Sequence, residues 1–210
     1  MSTDPGAPAM ARPQPLRSLP ADAGATLLPL ARGAIAAQFG LPATAVTDAP
    51  WLRERGASFV TLMLAGTLRG CIGTLEAHRA LLDDVRANAI AAAFRDPRFK
   101  ALATDEFKSV DIEVSVLSPV TPLQWRDEAD ALCWLRPGID GVIFEYGHHR
   151  STFLPQVWEE FPDPQHFLSH LKYKGGLPPD FWDPAVRLSR YTVAKWREDW
   201  PAPALPTNLK

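Results

Sequence analysis

Cysteine is almost absent from this 210-residue chain, which has Cys71 and Cys133 and no others. A chain of this length buries enough apolar surface to fold without covalent staples. A disulfide framework is therefore excluded, and reduced thiols in a cytoplasmic setting are expected. Long apolar runs are missing too. The longest, near Phe59 to Ala65, falls far short of the ~20 residues a membrane-spanning helix needs. Met1 to Pro20 holds no apolar segment of signal-peptide type. Nor is there a surplus of positive charge: 22 Lys and Arg against 24 Asp and Glu leave a formal charge of −2. That balance disfavours a phosphate-neutralising surface. Arg95, Arg98, Lys100 and Lys108 lie close together, a spacing that fits a solvated face. G-x-S-x-G, G-x-x-x-x-G-K-[ST], G-x-G-x-x-G and H-E-x-x-H do not occur. The hydrolase, nucleotide-binding and zinc-protease readings lose their usual support.

What the chain does have is material for a packed interior, with 46% hydrophobic residues, seven tryptophans and ten phenylalanines. Residues 1–20, rich in Pro and Ala, are expected to be a disordered tail, 201–210 a shorter flexible one, and 21–200 a single α+β domain. Leu27, Leu30, Ala31, Ile35 and Phe39 approximate one helical face, with Pro29 restricting where that helix begins and Gly40 ending it. Ser58 to Leu64 and Thr67 to Leu75 predict a hairpin across Ala65-Gly66. An alanine-rich helix follows and ends before Pro97. Val110 to Leu117 alternates as a half-buried strand, with Ile112, Val114 and Val116 on one face and Asp111, Glu113 and Ser115 on the other. Helices are predicted at Asp127 to Leu135, Gln156 to Glu160 and Pro164 to Lys172. A second hairpin, Gly141 to Tyr146 with Arg150 to Leu154, is expected across Gly147-His148-His149. Lys174-Gly175-Gly176 reads as a turn and Val186 to Trp196 as a closing strand. The sum is a mainly antiparallel sheet flanked by helices.

The densest unusual segment is Leu68-Arg69-Gly70-Cys71-Ile72-Gly73-Thr74. On a strand, period two puts Arg69 and Cys71 on one face. A fixed positive charge favours thiolate over thiol, the form a nucleophilic cysteine uses. Gly70 and Gly73 lack Cβ atoms, so a ligand or another backbone can approach closely. A small packed cysteine on a strand whose glycines relieve crowding satisfies the same pattern. Glu113 is an acid on a strand otherwise built for a sheet, and fits either an ion pair with Arg69, a general base or an exposed face. His166 and His170 stand at i, i+4, but no cysteine or carboxylate completes a four-ligand pattern with them or with His148 and His149. No metal and no cofactor is expected.

The run Leu68 to Gly73, then Asp96-Pro97-Arg98-Phe99, Glu113 to Pro119, Phe153 to Glu159 and Lys174-Gly175-Gly176-Leu177 together resemble the AMMECR-type domain family, with matching blocks in order from about residue 24 to 197. The resemblance implies an antiparallel α+β fold with a smaller lobe and a cleft near Arg69 to Gly73. The family's bacterial branch is similar to protein A of the AmmeMemoRadiSam system, which implies a Memo-like protein and a radical SAM protein as partners in a modification pathway. On this basis Cys71, Arg69 and Glu113 are the candidate catalytic residues, and Gly70, Gly73, Arg98, Gln156 and Lys174 the candidate substrate contacts. An enzyme or enzyme subunit acting on a small-molecule or peptide substrate is the first expectation. A non-catalytic adaptor that presents a substrate to those partners is the alternative, and a nucleic-acid module stands third.

Overall fold

The computed structural model describes residue 16 and residues 18–42 and 49–198. The C-terminal tail, and all but a few residues of the N-terminal one, lie outside the described residues. Helix α1 (Gly24–Gln38) buries Leu27, Leu30, Ala31 and Ile35, a spacing of one helical face. Pro29 does not mark its start but sits inside it. There it removes one backbone donor, that cost being offset by the buried face.

Next come β1 (Arg55–Gly56), β2 (Ser58–Leu64), β3 (Thr67–Gly73), β4 (Arg79–Ala80), α2 (Leu81–Phe94), the four-residue α3 (Thr104–Phe107) and β5 (Val110–Leu117). The β2–β3 hairpin turns on Ala65 and Gly66, both at positive φ, 50° and 79°, as a tight two-residue connection requires. The second half contains β6 (Thr121–Pro122), α4 (Glu128–Trp134), β7 (Gly141–Tyr146), β8 (His149–Phe153), a 3₁₀ turn (Pro155–Glu159), α5 (Pro164–Lys174), β9 (Arg187–Tyr191) and β10 (Val193–Arg197). Asp127 and Asp163 cap α4 and α5, accepting the N–H groups of Asp130 and His166.

Two four-stranded antiparallel sheets result, ordered β10-β5-β2-β3 and β6-β9-β7-β8, with β1-β4 as a short ribbon. In the larger lobe α1 and α2 cover one face of the first sheet, burying Val60, Leu62, Ile112, Val114 and Val116. In the smaller lobe Val142, Phe144 and Leu188 pack against Phe167, Leu168 and Leu171 of α5. One end of the first sheet's other face meets the second sheet at a third cluster, Ala57, Leu117, Ile143 and Tyr191 with Phe59, Leu154 and Val193 around it.

The segment 186–196, expected as one strand, is two strands in different sheets. The chain changes lobe at Thr192. There its N–H donates to Ser118 Oγ and its carbonyl accepts the Ser118 N–H, each at 2.9 Å, beside the other crossing between β5 and β6. Two further boundaries differ. His149 pairs with Tyr146 inside β7–β8, leaving Gly147-His148 as the connection. Lys174 ends α5 rather than opening a turn.

Candidate active site

The first sheet has one face without helices, covered by the smaller lobe at its Phe59 end and uncovered beyond it. Thr61 in the middle strand β2 is paired with Cys71 on one side and Glu113 on the other, and Glu113 is paired with Arg197 of β10. Directly opposed residues share a face, so these four form one row across it. At about 4.8 Å per strand the row is about 14 Å long. A neighbouring row holds Gly73, Phe59, Ser115 and Lys195. The alternation of β2 and β5 explains the placement: every second residue is apolar and buried under α1 and α2, and these are the others.

Cys71 is half-buried, and its Sγ accepts the Thr61 hydroxyl at 3.3 Å. Its backbone is fixed from the segment that follows α2. The Cys71 N–H donates to Asp96 Oδ2 at 2.8 Å, and Arg98 Nη2 donates to the Cys71 carbonyl at 3.2 Å. Arg98 also holds both Asp96 oxygens, at 3.0 and 2.7 Å. Those guanidinium hydrogen bonds, helped by the two backbone donors and opposed by burial, keep the Asp96 carboxyl far below the usual carboxylate range. Asp96 in turn raises Arg98. The cation beside Cys71 is therefore Arg98, whose side chain remains 53% exposed.

Arg69 is not placed as period two predicts. Leu62 pairs with Gly70 and Met63 with Leu68, so Arg69 is the extra residue of a β-bulge. A bulge re-aims the side chain it carries. Arg69 makes a two-point ion pair with Glu106, both contacts 2.9 Å, and donates to the Lys100 carbonyl at 3.0 Å. The Arg69 hydrogen bonds, then the Ala103 N–H, hold Glu106 down at about 2. The ion pair proposed between Arg69 and Glu113 is thus replaced by one with Glu106, which clamps the 96–106 segment over the outer edge of β3. The Glu113 side chain makes no hydrogen bond or ion pair among the described residues.

The two glycines serve packing. A Cβ at Gly70 would lie 2.2 Å from the Ala92 carbonyl oxygen of α2, and one at Gly73 would lie 2.2 Å from the Phe59 ring. The close approach seen at both glycines is to the protein's own atoms. Gln156 borders a pocket with Ile139, Trp158, Glu159, Val193 and Lys195, and is joined to the uncovered face through Lys195. Lys174 stands apart in the smaller lobe. It donates to the Thr152 carbonyl at 2.9 Å and lies over the Phe153 ring. The histidines are occupied locally. His149 Nδ1 bonds the Gly175 carbonyl, His170 Nδ1 bonds the His166 carbonyl, and the His170 ring stacks on Phe161. Among the described residues no group of three His, Cys, Asp or Glu is placed to hold a metal ion, and no helix is long and apolar enough to cross a membrane.

Sequence reasoning missed Thr61, Asp96, Glu106 and Lys195. It also missed a buried network in which Asp84 accepts from the Ser58 N–H and hydroxyl, Thr74, Asn88 and Arg79, tying α2 to the start of β2. Only Asp96 carried a local signal, the Asp-Pro-Arg turn after a helix.

The fold and site define a two-lobed α+β domain with a helix-free, partly uncovered sheet face carrying a thiol, a hydroxyl and an acid whose side chain has no partner among the described residues. The AMMECR1 family model matches residues 28–196, and the chain belongs to that family. A protein of Methanothermobacter thermautotrophicus is 41% identical over 187 residues, covering 85% of this chain and 95% of the relative. One of Saccharolobus islandicus is 37% identical over 195 residues, covering 89% and 86%. The crystal structure of uncharacterized protein PH0010 from Pyrococcus horikoshii superposes with a TM-score of 0.71 at 33% identity, covering 86% of this chain and 93% of that one.

Proposed function

We propose that this protein is an enzyme, or the substrate-holding subunit of one, that lays an extended peptidic substrate across the uncovered sheet face with Cys71 as its nucleophile or acceptor. The observation carrying this reading is the row Cys71, Thr61, Glu113, in which the thiol receives a hydroxyl hydrogen bond and the acid has no partner. A substrate reaching from Cys71 to Lys195 and Gln156 needs a length of about four extended residues at about 3.4 Å each. Cys71 as thiolate bonds to an electrophilic carbon, and the leaving group departs with the proton that Glu113 delivers. Arg98 supplies positive charge beside the sulfur, while Gln156 and Lys195 orient the far end. By family resemblance the partners are a Memo-like protein and a radical SAM protein in a modification pathway. The test is reconstitution with those two proteins from the same cell, following adducts at Cys71 by intact mass. Cys71→Ser should abolish adduct and product, and Glu113→Gln should slow turnover. Unchanged product formation by Cys71→Ser removes the nucleophile.

A second reading, the adaptor, is favoured by two half-exposed apolar side chains, Trp134 at 52% and Ile139 at 50%. Ile139 stands at the rim of the Gln156 pocket. An adaptor loses partner co-purification on Ile139→Asp and keeps it on Cys71→Ser. The enzyme reading expects the Cys71 variant to lose product whatever the Ile139 variant does.

A further inference from the structure

A separate cavity opens where β1 and the segment after β3 meet β7 and the β5–β6 crossing. Its walls are mainly apolar, including Leu75, Leu117, Val120 and Ile143, and Arg55, Arg150 and Glu76 bring the charge. Leu117 lies four residues along β5 from Glu113, about 14 Å at about 3.4 Å per residue, so this is not the Cys71 row.

The two arginines differ in one respect. Arg150 is committed to Glu76 at 2.7 Å and to Glu145 at 3.3 Å. The Arg55 side chain has no hydrogen bond or ion pair among the described residues, and its Nε is buried without an acceptor. Buried donors are nearly always satisfied, and a guanidinium nitrogen left without an acceptor is costly. Arg150 is matched by Glu76 and Glu145, so the charge in the lining that has no partner is that of Arg55. A guanidinium fork fits a planar carboxylate, and one unmatched charge among apolar walls suits a monoanion with a hydrocarbon portion better than a phosphate dianion.

We propose that this cavity is a binding site for a small aliphatic monocarboxylate, its carboxylate on Arg55 and its tail against Leu75, Leu117, Val120 and Ile143. The site lies farther along the same sheet face and shares no lining residue with the Cys71 row. Calorimetric titration of the full chain with hexanoate, hexanol and acetate tests it. Hexanoate should bind saturably, and hexanol and acetate at least tenfold more weakly, since each keeps half of the recognition. Arg55→Gln should weaken hexanoate at least tenfold. Ala77→Trp, placed on the exposed cavity rim, should block it without touching Arg55. Arg55→Met should raise the melting temperature of the ligand-free protein, because it removes an unsatisfied donor while keeping an unbranched, apolar side chain. The proposal is overturned if hexanoate does not saturate, if acetate binds as well as hexanoate, or if neither Arg55→Gln nor Ala77→Trp changes the affinity. A fall in melting temperature for Arg55→Met with hexanoate binding intact would assign Arg55 a structural role instead.

Discussion

Replacing Gly70 by alanine separates a packing role from a substrate role at the centre of the Arg69 to Gly73 segment. The added methyl would sit 2.2 Å from the Ala92 carbonyl oxygen and 3.1 Å from its carbon. Both atoms belong to helix backbone, which cannot rotate away as a side chain can. Relief requires α2 to withdraw from β3 by about 1 Å, and close-packed interiors transmit such a shift. Overpacking of this kind costs about 1–3 kcal/mol, and a backbone obstacle argues for the upper end. For a domain of this size each kcal/mol is about 2–4 °C in melting temperature, so Gly70→Ala should melt about 6–12 °C below the parent. Thermal denaturation followed by circular dichroism measures it, with Cys71→Ser as the control. That exchange alters one atom on the other face of the same strand and should leave the melting temperature nearly unchanged. An unshifted Gly70→Ala would refute the packing argument. Loss of substrate capture without loss of stability would return Gly70 to the ligand-contact role that the sequence suggests.

Three other outcomes follow from the same geometry. Glu106 titrates at about 2 in the folded chain against an ordinary 4.5. Its pair with Arg69 therefore contributes stability that is fully present above pH 4.5 and is lost as the pH falls toward 2. Urea midpoints across that window should drop more steeply for the parent than for Glu106→Gln, and parallel curves would contradict the assignment. Lys172 is 1% exposed and its ammonium donates to Glu128 at 2.8 Å. Glu128→Ala leaves that charge buried and unpaired and should cost about 3–5 kcal/mol, whereas the double change with Lys172→Met should recover most of it. Equal stability of the single and double variants would show that the ion pair is not what holds Lys172. Thr61→Val removes the hydroxyl that donates to Cys71 Sγ and should slow alkylation of Cys71 without a comparable loss of stability.

Much of the fold was legible because it rests on short-range periodicity. The residues of β2, β5 and α2 alternate at two or at about 3.6, and the structure places these elements within a residue or two of where the pattern ends. The partners of Cys71 were harder to read. That Thr61 lies between Cys71 and Glu113 depends on the register of three strands brought together by a hairpin and a long connection. A one-residue slip would put every one of these side chains on the other face. Arg69 escaped because a bulge breaks the period locally, and its acid, Glu106, comes from a helix of four residues too short to announce itself. The division of residues 187–197 into β9 and β10 was equally hidden. A strand that passes from one sheet to another at Thr192 keeps its alternation, and only the Ser118 contacts reveal the crossing.

The most direct test of the account is iodoacetamide labelling of Cys71 in the folded protein near neutral pH, with Cys133→Ala to remove the exposed second thiol. A half-buried thiol on the uncovered part of the sheet face, beside Arg98 and under the Thr61 hydroxyl, should be alkylated while the protein remains native, and more slowly in Thr61→Val. Labelling that appears only as the chain unfolds would mean a packed structural cysteine, and the uncovered face would not be the site.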